Sequence, residues 1–158
     1  MFMLVASTGK STFPVQSVNS NVVKKTVFVV EDHPAQQKML QVHLEEMLGN
    51  YSVRIFPSPV EMFASLKEKP FVIVLDHFFP GDKTGFDALV TLKKKHPSLP
   101  VIYHTSATDE AIRTKAMELG ADQFILKDGA SLVRLRTALD LISEQASKKG
   151  FFQRLFGK

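Results

Sequence analysis

From residue 25 onward, short apolar runs alternate with segments whose apolar residues recur at helical spacing. Residues 26–30, 71–75, 101–104 and 123–126 are apolar at nearly every position and only four or five residues long. Runs of that length read as strands buried on both faces rather than as helices. Residues 52–56 form a further strand. Between the first two strands, Met39, Leu40, Leu44, Met47 and Leu48 share one helical face over residues 34–48. Pro34 suits the first turn of that helix and Gly49 its stop. The same spacing predicts helices over 58–67, 86–95, 108–119, closed by Gly120, and 130–146. Five β/α units in strict alternation imply parallel strands joined by right-handed crossovers. The fold class is therefore α/β: a doubly wound five-stranded parallel sheet in a three-layer α/β/α sandwich.

The ends of the chain break this rhythm. Residues 1–24 are rich in Ser, Thr, Asn and Val without periodicity and read as a flexible arm. The arm contains GKST at residues 9–12, but position 4 is Leu4 where a phosphate-binding loop needs a glycine, and no strand leads in. Residues 147–158, ending KKGFFQRLFGK, form a basic tail. If helical, Phe151, Phe152, Leu155 and Phe156 share one face, with Arg154 and the lysines elsewhere. This resembles a small amphipathic anchor for a partner or an anionic membrane surface, weak toward lipid on its own; the alternative is a frayed tail, or one packed on its own domain.

Composition narrows the class. At 158 residues, 44% hydrophobic and 23% charged, the chain suits one domain with an ordinary core. The absence of cysteine removes disulfide and thiolate chemistry. No apolar run approaches a membrane span, and no signal peptide opens the chain, so a cytoplasmic location is expected. The net charge of +4 is misleading as a sum. Residues 1–25 carry three lysines and 147–158 four basic groups, neither with an acid, leaving 16 acids against 13 Lys and Arg between them. A mildly acidic domain with basic ends argues against specific nucleic-acid reading.

Four of the apolar runs end on groups suited to phosphate chemistry: Glu31 with Asp32, then Asp76, Thr105 and Lys127. In open parallel sheets the ligand crevice lies at the carboxyl ends of the strands. Three carboxylates, a hydroxyl and an ammonium should therefore converge, although they are far apart in sequence. Each alone is a strand-end cap or a solvated side chain; together they are a site. His33, His77 and His104 lie near the same ends, but no pair has the short spacing usual for zinc.

These positions and their spacing, with LDHFFPGDKTG around Asp76, resemble the receiver domain of two-component response regulators over residues 25–146. The resemblance implies the flavodoxin-like receiver fold. It implies an acidic pair that binds a divalent cation, Asp76 as phosphoryl acceptor, and Thr105 and Lys127 in contact with the phosphoryl group. Phe124 would be an aromatic switch that changes rotamer. It further implies a docking surface on the fourth helix, fifth strand and fifth helix, near Arg113 and Phe124. Little chain follows residue 146, so a single-domain receiver is expected, with a histidine kinase or phosphotransfer protein as donor and an unidentified protein downstream. A phosphorylation-dependent dimer is compatible with this.

Elementary electrostatics supports a metal at such a site. A cluster of Glu31, Asp32 and Asp76 repels an anionic donor unless a hard cation neutralises it. Mg²⁺, or Mn²⁺, prefers oxygen ligands in octahedral geometry. Asp32 and Asp76 are expected as direct ligands, the Phe78 backbone carbonyl as a third, and Glu31 as a water-bridged or longer-reaching one. Asp76 would attack phosphorus in line, Lys127 would balance charge on the transferring oxygens, and the Thr105 hydroxyl would bond one of them. Thr105 drawn inward would vacate space for Phe124, a two-state bias that surface helices follow. The chain would thus be a signalling phosphoacceptor rather than an enzyme.

It departs from the family pattern in places. Glu31 stands where aspartate is more usual, and Asp128 follows Lys127 where proline is usual. The loop from Asp76 to Gly85 is one residue longer than is common. Phe78 and Ala107 occupy the positions that tune hydrolysis, and neither side chain can orient a water, so a long-lived phospho-Asp76 with slow dephosphorylation is expected. Two other readings compete: a pseudo-receiver or scaffold that does not cycle phosphate, and a different phosphate enzyme on the same fold.

Overall fold

A computed structural model describes residues 24–81 and 83–157. The N-terminal arm and its GKST segment lie outside these residues, apart from Lys24. The order of elements is β1 (Lys25–Val30), α1 (Pro34–Val42), β2 (Tyr51–Phe56), α2 (Pro59–Ser65), β3 (Val72–Leu75), a short antiparallel hairpin of β4 (Phe78–Phe79) and β5 (Lys83–Thr84), α3 (Gly85–Lys95), β6 (Val101–Thr105), α4 (Glu110–Glu118), β7 (Gln123–Leu126) and α5 (Ser131–Phe156). Five parallel strands form one sheet in the order β2-β1-β3-β6-β7, as the alternation predicts.

Side chains alternate across the strands, so each central strand feeds two cores. Val27, Val29, Val72 and Val74 pack with Leu40, Leu44, Leu135 and Leu139 beneath α1 and α5. Phe28, Val30, Ile73 and Leu75 pack with Met62, Leu89, Leu92 and Ala116 beneath α2, α3 and α4. Burial on both faces is why these strands are apolar throughout. Truncating one fully buried leucine here, such as Leu139, costs about 2–5 kcal/mol.

Three details differ from the sequence reading. The first helix does not run regularly to residue 48: after Val42 it widens into a π-helical turn, His43–Met47. In that turn Glu45 Oε1 accepts the Val53 N–H at 2.8 Å, tying the turn to β2. The hairpin after β3, with Gly81 at φ 76°, has no counterpart in the predicted elements. Finally, α5 continues without a break through the segment set apart as a tail.

Candidate functional site

Strand register brings the expected residues together. β1 and β3 pair Val30 with Leu75, and the next rung, Asp76 N–H to Val30 O at 3.0 Å, sets Glu31 and Asp76 side by side. On the other half of the sheet, β6 and β7 pair Thr105 with Leu126, and Lys127 N–H donates to Thr105 O at 2.8 Å. The Lys127 side chain crosses the crevice: its Nζ lies 2.5 Å from Glu31 Oε2 and 3.0 Å from Asp76 Oδ2. The Lys127–Asp128 bond is trans, and Asp128 instead pairs with Arg134 and accepts the Ala130 N–H, capping the turn into α5.

Glu31 and Asp76 are buried, whereas Asp32 is exposed at the mouth. Glu31 Oε1 also accepts the His33 N–H, and Gln37 Nε2 holds the Glu31 backbone carbonyl at 2.6 Å. Asp76 Oδ1 accepts the His77 N–H at 2.7 Å. Burial pushes the Asp76 carboxyl above its ordinary range; the Lys127 charge and hydrogen bond and the His77 N–H pull the other way, and the Asp32 charge adds to the rise. Thr105, fully buried, has its hydroxyl oxygen accepting the Ala107 N–H at 3.1 Å, so its own proton stays available to donate. Phe124 is half-buried two register positions from Thr105, stacked on Tyr103 at 6.1 Å and 17°, with the Arg113 guanidinium 5.5 Å from its ring centre. Ala107 is buried, and Phe78 is half exposed and set edge-on to His77 at 4.6 Å.

The donor chemistry fits a hard divalent cation. Glu31, Asp32 and Asp76 each offer a carboxylate oxygen, all within 4.8 Å of one another, and no other group of that kind is found among the described residues. One ammonium faces these three carboxylates, leaving an excess of about two negative charges when all are ionised. Two of the three nearby histidines, His77 and His104, are buried, and burial lowers the pKa of each. His77 Nδ1 and Tyr103 Oη share a 2.6 Å hydrogen bond, and burial lowers the pKa of the imidazole and raises that of the phenol, so both partners are neutral. His104 is buried and held neutral, its pKa lowered to about 3 by burial and then by the Lys127 and Arg134 charges.

The His77–Tyr103 pair was not singled out as a unit from sequence. Its signal was present: Tyr103 is the polar-tipped residue inside an otherwise apolar run, and a buried tyrosine hydroxyl seeks a partner. Gly85 was likewise overlooked. A Cβ there would lie 2.2 Å from Asp76 O and 2.7 Å from Tyr103 Oη, so α3 begins in direct contact with the acceptor strand.

Comparison with known proteins bears on the family and the fold. Residues 27–140 match the family model of the response regulator receiver domain. The transcriptional regulatory protein CreB of Escherichia coli is 30% identical over 105 residues, 66% of this chain and 44% of that protein. The transcriptional activator IrlR of Burkholderia pseudomallei is 32% identical over 116 residues, 72% of this chain and 49% of its own length. The chain thus spans about half the length of these curated relatives. Among solved structures, the non-phosphorylated HemR receiver domain of Leptospira biflexa superposes with a TM-score of 0.66 at 28% identity, covering 75% of this chain and 94% of that one. A CheY-like receiver from Methanospirillum hungatei, at 22% identity, shares the fold with a TM-score of 0.69 over 79% of this chain and 98% of that one. Since the matched residues 27–140 contain every strand end that builds the acidic crevice, the chain belongs to the response regulator receiver domains of two-component systems.

Proposed function

We propose that the protein is a phosphorylation switch in which Asp76 accepts a phosphoryl group from a histidine kinase or phosphotransfer protein. The observation that carries this reading is the approach of Lys127 Nζ to both Glu31 and Asp76 at the mouth where Asp32 adds a third carboxylate. In the transfer, a new bond forms between an Asp76 oxygen and phosphorus while the P–N bond of the phosphohistidine breaks, its electron pair returning to the imidazole. Burial makes the Asp76 carboxylate more basic, hence a better nucleophile once ionised. Lys127 can swing from the carboxylates to the incoming phosphoryl oxygens and hold their charge. The Thr105 hydroxyl, already fixed by Ala107 N–H, donates its proton to one of them.

Glu31, Asp32 and Asp76 would hold Mg²⁺ or Mn²⁺, with the Phe78 carbonyl as a further ligand; when bound, the cation screens the carboxylates from an anionic donor. Displacement of Thr105 toward the phosphoryl group biases Phe124 from its place on Tyr103 and Arg113, and with it the surface of α4, β7 and α5, where a downstream protein docks. Phe78 and Ala107 leave no side chain to orient an attacking water, so the acyl phosphate is long-lived.

The test is to incubate the protein with acetyl phosphate and Mg²⁺ and follow intact mass. Wild type should gain one phosphoryl group and Asp76→Asn none; chelation should prevent the gain. Phe78→Asn should shorten the lifetime of the label several-fold. A wild type that takes no label from acetyl phosphate or from a kinase favours the phosphate-independent scaffold.

A further inference from the structure

The last buried residue of α5 is Ile142, yet the helix continues to Phe156. At about 1.5 Å per residue the continuation projects roughly 20 Å beyond that residue. It carries Phe151, Phe152, Leu155 and Phe156, each 58–76% exposed, with Phe152 stacked on Phe156 at 6.1 Å. These side chains are not an extension of the core stripe. At about 100° per residue, the mean direction of the four is rotated roughly 120° around the helix from that of Leu135, Ala138, Leu139 and Ile142. The aromatic face therefore cannot reach the sheet that the rest of the helix covers. Leu141, 45% exposed, lies along the same face, and so does Lys148, where the sequence reading set the lysines elsewhere; Glu144 is 4.0 Å from Lys148.

Charge says what kind of surface fits. Residues 147–158 hold four basic groups and no acid. The end of the domain from which the helix leaves is basic as well: Lys67, Lys69, Lys95 and Lys149 rim a groove beside Phe71, and its carboxylate, Asp122, is already engaged by Lys93 and the Val101 N–H. A second copy would bring the same cations against these. We propose that this helical extension and the basic end of the sheet dock on an anionic phospholipid surface, with the aromatic face in the headgroup–acyl boundary and the lysines and Arg154 at the phosphates. The extension leaves from the amino ends of the strands, since Ser143 accepts from Lys25 at the start of β1. Asp76 and its crevice, at the carboxyl ends, then face away from the lipid.

Flotation of the full chain with vesicles tests this. Vesicles of phosphatidylglycerol mixed with phosphatidylcholine should carry at least about ten-fold more protein than phosphatidylcholine alone, and added salt should erase the difference. Phe152→Asp combined with Phe156→Asp should abolish flotation with an unchanged thermal melt, whereas Val60→Ser, an exposed apolar residue on α2, should leave it intact. If the double variant fails to fold, Lys148→Gln, Lys149→Gln and Arg154→Gln together, with the aromatic face kept, should remove the preference for anionic vesicles. Absence of flotation on anionic vesicles overturns the proposal. So does flotation indifferent to these substitutions, or a dimer in sedimentation velocity that the aromatic variants dissolve while wild type ignores vesicles.

Discussion

Asp76 carries two opposing demands. Burial disfavours its charge, while Lys127 at 3.0 Å and the His77 N–H favour it, and the balance leaves the carboxyl above its ordinary range. At neutral pH the ionised residue therefore costs stability when no cation is present. Asp76→Asn should melt higher than wild type in chelator, and the gain that wild type obtains from Mg²⁺, about 2.7 kcal/mol at a hundred times the dissociation constant, should be largely lost in the variant; matched melts with and without the ion measure both. His104 makes a different prediction. Its pKa in the folded protein, about 3, lies below the ordinary 6.5, so below pH 6.5 the unfolded chain binds a proton that the native one refuses. Stability attributable to this residue falls as pH drops, by about 2 kcal/mol between pH 7 and pH 5 for one such group. His104→Leu should flatten that part of the urea-derived stability profile; an unchanged slope would remove His104 as its source. These residues were visible in sequence only in part. Strand ends located Asp76 and Lys127, because polar groups that terminate apolar runs are legible in one dimension. The pairing of His77 with Tyr103 was not, because it joins two strands whose register only the folded sheet supplies.

At the scale of the element, the strands were the most legible, since double-sided burial writes itself as continuous apolar composition. Helix interiors followed from spacing. Their ends did not: the π-helical turn after Val42 depends on Glu45 reaching the backbone of β2, a contact with no local signature. The hairpin between β3 and α3 was hidden for a similar reason, being two residues a side. Besides its apolar packing, helix α3 has a polar tie to the sheet through a side chain on a loop. Asp122 Oδ2 accepts from Lys93 Nζ at 2.6 Å and from Val101 N at 2.8 Å, joining α3, the start of β6 and the approach to β7. Asp122→Ala leaves both donors without that partner and should cost about 1–3 kcal/mol in denaturant unfolding. Asp122→Asn, which keeps an acceptor for Val101, should cost less.

For the whole molecule, family and fold could be read from the chain because the site is distributed: its members end four of the five strands, and their spacing encodes the order of the units. The segment after Ala146 was legible as amphipathic but not as part of α5, since helix continuity there rests on no core contact. The distribution of the site has a consequence for how the protein can be taken apart. Lys127 meets Glu31 across 96 positions of chain, and no stretch shorter than most of the sheet contains both. Cut between Lys95 and Val101, the chain yields one piece with all three carboxylates and another with Thr105 and Lys127. Neither piece alone should take up a phosphoryl group. Mixed, they should recover labelling only as β3 and β6 re-form their ladder, so that acyl phosphate formation becomes a chemical readout of reunion between two halves of a sheet.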